Sequence, residues 1–181
     1  MDGKLSIEDR FLLGQSLEHY RHLVNQVDEI TVVIKRYVLE RFERKYNLLI
    51  ELPGVSAIVA FVILSEIGPN VEAFKSQGNL ASWAGVCPGS YESAGIKKSS
   101  HTTQGNKYLK SILFQAGGTA GRSKDEAFHN LYARISGRSS KMKAIIACAH
   151  KMIRVIYKIL STGEHYDAKK ALGLRQQARA N

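Results

Sequence analysis

Apolar side chains recur at Leu13, Leu17, Tyr20, Val24, Val27, Ile34 and Val38, in alternating steps of three and four. Thr31 stands where another apolar residue would complete the series, and charged residues fill most of the other positions. A stripe this long and narrow predicts one helix over residues 6–48 that pairs as a coiled coil, between chains or with another part of the protein. Docking of the helix on its own domain is the alternative. Ser6 followed by Asp9 has the form of a capping arrangement at the helix start.

Pro53 stops this helix, because it lacks a backbone donor and restricts the chain before it. Gly54 allows a tight turn. From Ser56 to Ile67 the chain is apolar nearly all round, which predicts a buried helix capped by Ser56 and ended by Gly68-Pro69. Helix, Pro-Gly turn and buried helix resemble a helix-hairpin-helix, in which Pro53, Gly54, Val55 and Ser56 would offer backbone N–H groups to a nucleic-acid phosphate. A plain connection between helices is the alternative, and the turn lacks a second glycine.

Further helical periods follow. A short one spans Asn70 to Ala84, with Phe74, Leu80 and Trp83 on one face and Gly78-Asn79 as a break. Another runs from Asn106 to Thr119, where Gly117-Gly118 marks close packing or the helix end. A third covers residues 126–136 and a fourth Met142 to Leu160. The tail from Tyr166 reads as polar and frayed. No strand alternation or repeat is visible, so the chain reads as all-α: a helix or linker over 1–48, a compact domain over 49–166 and a tail over 167–181.

Between the first and second of these helical periods lies Gly85 to Lys110, rich in Gly, Ser and Thr, with Lys97, Lys98, Lys107 and Lys110 and no acid after Glu92. A connection this long inside a compact domain is functional or disordered. Small residues admit a ligand close to the backbone, and lysines at this density favour phosphate. The charge of the whole chain agrees. Residues 1–92 hold 9 Lys/Arg against 12 Asp/Glu, a net of −3, and residues 93–181 hold 17 against 4, a net of +13, within an overall +10. A polyanion partner is therefore expected on the second half. No apolar run approaches the roughly 20 residues a membrane helix needs.

Acids are sparse on the basic half, and Asp125-Glu126, neighbours in sequence, point apart on a helix. A self-contained metal nuclease is thus not expected, and Cys87 and Cys148 lack the spacing of a zinc site. The two cysteines read as buried thiols in a reducing cytosol, and His150 as a core or groove histidine. Ser93 is the candidate nucleophile, with Lys97 and Lys98 nearby to neutralise a phosphodiester under attack. Ser90, Ser99, Ser100, Thr102 and Thr103 are also present, and loop hydroxyls often only cap turns.

Five blocks taken in order carry a resemblance: Leu52-Pro53-Gly54-Val55, Trp83 to Pro88, Ser93-Ala94-Gly95, Gly105-Asn106-Lys107-Tyr108-Leu109-Lys110, and the helix of 144–160. Together they resemble the C-terminal domain of the serine transposases of bacterial insertion sequences, the RNA-guided bridge recombinases, with the Piv-type DNA invertases as relatives. The likeness covers about residues 48–166. It implies that Ser93 attacks a DNA phosphate to form a phosphoserine link, and that Gly105, Asn106, Lys107 and Lys110 help to hold phosphate. Ala94 separates the serine from its glycine, which leaves Ser90 as an alternative register, and Lys110 replaces an arginine. The resemblance also implies a separate RuvC-like acidic domain that holds magnesium, no cofactor in this chain, DNA and a guide RNA as partners, a homo-oligomer through the first helix, and a bacterial cytoplasmic, nucleoid-associated setting. A non-catalytic nucleic-acid-binding module and a structural coiled-coil protein are the rival readings.

Overall fold

The computed structural model describes residues 5–68, 70–87, 91–93, 96–99, 102 and 104–173. The chain divides into two compact units, Met1–Arg41 and Phe42–Asn181. The first helix, α1, spans Ile7–Ile50, close to the expected bounds. Phe42 interrupts it, with φ −135° and ψ 21°. Neither glycine nor proline stands there, so the sequence gives no sign of the break.

Within the first unit, Ser6 and Asp9 form the expected reciprocal cap: Asp9 N donates to Ser6 Oγ at 3.0 Å and Ser6 N to Asp9 Oδ2 at 3.2 Å. The apolar stripe at Leu13, Leu17, Tyr20, Val24, Val27 and Ile34 is exposed to solvent. Thr31 satisfies its hydroxyl locally, donating to Val27 O at 2.7 Å.

The second unit is built from α2 (Ala57–Ile67), a 3-10 turn (Val71–Ala73), α3 (Gln77–Trp83), α4 (Lys107–Arg122), α5 (Glu126–Ser136), α6 (Lys141–Thr162) and α7 (Ala168–Gly173). Serine, asparagine and aspartate caps start most of these helices: Ser56, Ser76, Asn106, Asp125 and Ser140 each accept a backbone N–H with their side chains. Their apolar faces meet in one core, where Leu49, Leu52, Ile63, Leu80, Leu109, Leu113, Phe128, Met152, Ile153 and Ile156 are fully buried. Each such side chain removed from water is worth about 1.5–3 kcal/mol. Helices α4 and α6 lie closest: a Cβ on Gly117 would stand 2.7 Å from Ala149 N, so this glycine marks close packing and not the end of α4.

Two features depart from the expected pattern. A short antiparallel hairpin, β1 (Tyr91–Ser93) with β2 (Ile96–Ser99), adds a two-stranded ribbon to an otherwise all-α fold. The chain beyond Tyr166 is also anchored and not frayed as far as residue 173. Tyr166 OH donates to Asp125 Oδ2 at 2.9 Å, Tyr166 N donates to Glu51 Oε2 at 3.2 Å, and Ala171 of α7 is buried. Burial, with the Asp125 carboxylate beside it, holds the Tyr166 phenol well above its usual range. No helix among the described residues is long and apolar enough to cross a membrane.

Candidate functional site

The turn before α2 shows how its residue types divide between packing and surface. Gly54 has φ +84°, and a Cβ there would stand 2.3 Å from Ala116 O and 2.9 Å from Ala120 N. This glycine therefore seats the turn against the backbone of α4. Val55 is buried, and Pro53 is partly covered. Ser56 is exposed and its Oγ takes the Val59 N–H at 3.4 Å. The amides of Ala57 and Ile58, at the exposed start of α2, have no intrahelical acceptor. Of the four residues proposed for phosphate contact, Gly54 and Val55 serve mainly to set the turn, and Ser56 stands at the surface.

The basic connection has a defined root. Gly85, with φ +70°, turns the chain out of α3, and Gly105 brings it back. A Cβ on Gly105 would stand 2.4 Å from Gly85 N, 2.5 Å from Trp83 O and 2.6 Å from Gly85 Cα. The departing and returning strands thus touch backbone to backbone. Asn106 N closes the contact by donating to Trp83 O at 3.0 Å.

Asn106 also does two jobs with its side chain. Its Oδ1 accepts the N–H groups of Tyr108 and Leu109, each at 3.0 Å, and so caps α4. Its Nδ2 donates to Glu66 Oε2, which ties the cap to the end of α2. One residue further, Lys107 is exposed, with its Nζ 5.0 Å from the centre of the Tyr108 ring; Lys110 Nζ lies 6.0 Å from the centre of the Phe114 ring. Two cations in the first turn of a helix oppose the macrodipole, an arrangement an anionic ligand would relieve.

Between these roots the backbone of β1 ends at Ser93, which registers with Ile96; Glu92 registers with Lys97 and Tyr91 with Ser99, across a bulge. Ser93, Lys97 and Lys98 therefore belong to one hairpin. Ser90, Ala94, Gly95 and Thr103 lie outside the described residues.

Helix α6 presents a second polar region, of which the sequence singled out only His150, as a core or groove histidine. His150 and Arg154, one turn apart, share a face and are both half-buried. Arg154 Nε donates to Gln77 Oε1 of α3 at 3.2 Å. Burial, and then the charge of Arg154, lowers the His150 pKa. Burial raises the Cys87 thiol, with Arg154 partly opposing it. Cys148 is fully buried and pushed up to about 11 by that burial, so it is an inert thiol; its Sγ lies 3.8 Å from Phe128 O. Among the described residues, no three of His, Cys, Asp and Glu are grouped so as to hold a metal ion. The resemblance places magnesium in a separate acidic domain, and no grouped set of ligands for it stands among the described residues.

Residues 46–133 match the family model described as Transposase IS116/IS110/IS902 family. Over 157 residues the chain is 31% identical to a protein named as a transposase in Sinorhizobium fredii, covering 82% of this chain and 39% of that protein. Over 170 residues it is 26% identical to the pilin gene-inverting proteins of Moraxella bovis and Moraxella lacunata, covering 91% of this chain and 52% of each. The chain therefore spans about half the length, or less, of these curated relatives. The matched stretch takes in the Gly54 turn, the Gly85–Gly105 root, the hairpin and α4, and stops within α5.

Proposed function

We propose that this chain is the serine-bearing half of a DNA transposase or invertase of the IS116/IS110/IS902 type, and that Ser93 is its nucleophile. One observation carries the reading: the matched stretch contains a hairpin that bears Ser93, Lys97 and Lys98, and the chain leaves and rejoins the helical body where Gly85 and Gly105 meet. A nucleophile on a rooted arm can reach into a duplex while its base stays in register with the phosphate-binding elements.

The chemistry is a transesterification. The Ser93 oxygen attacks a backbone phosphorus, its proton passes to a base, and one deoxyribose oxygen leaves and takes up a proton. The protein is left joined to DNA through a phosphoserine ester. Reversal onto a different strand end exchanges strands with no net loss of phosphodiester bonds. Lys97 and Lys98, with Lys107 and Lys110 at the start of α4, neutralise the charge that accumulates on the phosphorane oxygens. Lysine does this as a mobile point charge without the fixed fork of arginine. The exposed start of α2, at Ser56 and beyond, contributes backbone donors to a neighbouring phosphate.

The acidic, magnesium-holding component belongs to a separate domain in this reading. A guide RNA and pairing of chains through the exposed stripe of α1 are further parts of the proposal. The stripe supports pairing because a regular run of apolar side chains left in water is costly over so many turns.

The test supplies the acidic domain, magnesium and cognate DNA, and looks for a covalent protein–DNA adduct. The expected result is an adduct in the native chain and none in Ser93→Ala. An adduct that persists in Ser93→Ala refutes the assignment. Tight, salt-sensitive DNA binding with no adduct under any of these conditions would favour a non-catalytic binding module.

A further inference from the structure

We propose that Arg154 and His150 of α6, with Gln77 of α3 positioning the guanidinium, form a subsite for a backbone phosphate of nucleic acid on the helical body that carries the serine-bearing hairpin. The inference rests on the reading above for the identity of the polyanion, but the geometry that carries it is separate from Ser93.

Arg154 is a half-buried cation whose only hydrogen bond among the described residues is from Nε to the neutral Gln77 Oε1, at 3.2 Å. No carboxylate of the described residues lies within ion-pair distance of it; the ion pairs there are His165–Glu51 and Lys170–Glu164. Partly desolvating a guanidinium without a counter-charge is costly, and proteins usually offset that cost with an acid. Here Gln77 fixes one edge of the guanidinium and leaves the two terminal nitrogens to a ligand. That pair of N–H donors matches two oxygens of one phosphate.

The neighbours suit an anion as well. His150 lies one turn away on the same face of α6 and can add its ring N–H. The adjacent Lys151 is committed elsewhere, donating to Ala127 O at 2.8 Å and standing 5.5 Å from the centre of the Phe128 ring. Tyr157, the next polar residue on this side, is also occupied, with its OH donating to Phe74 O at 3.1 Å. Gln77 opens α3, the short helix whose far end, at Trp83 and Ala84, leads into Gly85 and the hairpin. A phosphate held there lies beside α3, the helix that leads into the Ser93 hairpin. It would be gripped by a rigid helix and not by the hairpin itself.

The experiment follows the Arg154 Nε–H and the His150 ring resonances by NMR in the full 181-residue chain. The first probe is inorganic phosphate and the second a short DNA duplex. The expected result is saturable shifts of both groups with either probe, retained in Ser93→Ala. Arg154→Met should weaken the His150 response about tenfold or more. Gln77→Glu provides a variant that keeps the packing and gives Arg154 an internal carboxylate, and it should suppress phosphate binding in the same way. Absence of shifts with phosphate, or an undiminished His150 response in both variants, overturns the subsite. Shifts with phosphate but none with duplex DNA overturn the nucleic-acid assignment. Failure of the serine reading would show separately, as a missing adduct with these shifts intact.

Discussion

Replacing Gly105 by alanine is the sharpest test of the root. The added Cβ would meet three backbone atoms, Gly85 N at 2.4 Å, Trp83 O at 2.5 Å and Gly85 Cα at 2.6 Å. No flexible side chain is available to yield, so one of the two strands must move. Overpacking of this kind costs about 1–3 kcal/mol, and backbone obstruction places it near the top of that range. Stiffening of the unfolded chain returns roughly 0.4–1 kcal/mol, which leaves a net loss of about 2 kcal/mol. For a chain of this size that corresponds to a fall in Tm of about 4–8 °C. The strain sits where Asn106 N donates to Trp83 O, so this bond is the first to give. Circular dichroism at a helix band should report the fall in Tm. Limited trypsin digestion at Lys97 and Lys98 should become faster well below that temperature. A variant that melts with the native chain and is cut no faster would show that the contact between Gly85 and Gly105 holds nothing in place.

Other outcomes follow from the same geometry. Gly54→Ala should cost more than Gly105→Ala, because its Cβ would lie 2.3 Å from Ala116 O and its φ of +84° adds about 1–2 kcal/mol of left-handed strain; chemical denaturation of the two variants side by side decides it. Asn106→Asp keeps the cap of α4 but sets a second carboxylate against Glu66. It should destabilise near neutral pH by about 1–2 kcal/mol and recover part of the loss as pH falls through the carboxylate range near 4, which Asn106→Ala should not do; urea melts from pH 7 to 4 report this. Burial raises the Cys148 thiol from 9.0 to about 11. The unfolded chain therefore loses this proton first as pH rises, so the contribution is complete below 9 and is lost as pH rises to about 11. The loss is on the order of 2–3 kcal/mol, and Cys148→Ala should lack that part of the slope in denaturant melts.

Most helices were legible because each rests on local signals: steps of three and four in α1, α4 and α6, a serine before α2, and Pro53 after α1. The departures have local causes too. Strands of three and four residues are too short to display alternation, so the hairpin at 91–99 read as open loop. The kink at Phe42 carries no breaker residue. The polar stretch after Tyr166 gave no hint that one phenol and Ala171 would anchor it. Within the site, the types were visible before the partners were. Gly105 and Asn106 stood out as a pair suited to a ligand, and the structure gives them a close backbone contact, a helix cap and a bond to Glu66. Arg154 and Gln77 lie 77 residues apart, and no spacing rule joins them.

A chain that departs from a scaffold and rejoins it at one spot behaves as a removable cassette. Val86 is fully buried and stays with the scaffold, so the stretch after it, up to Gln104, is what can be exchanged or lengthened without re-registering any helix, since both attachment points stay where Gly85 and Gly105 meet. The entropic penalty for such growth is small, about 0.6 kcal/mol for each doubling of length. Cassettes transplanted between homologues after Val86 and before Gly105 should leave the melting of the helical scaffold nearly untouched.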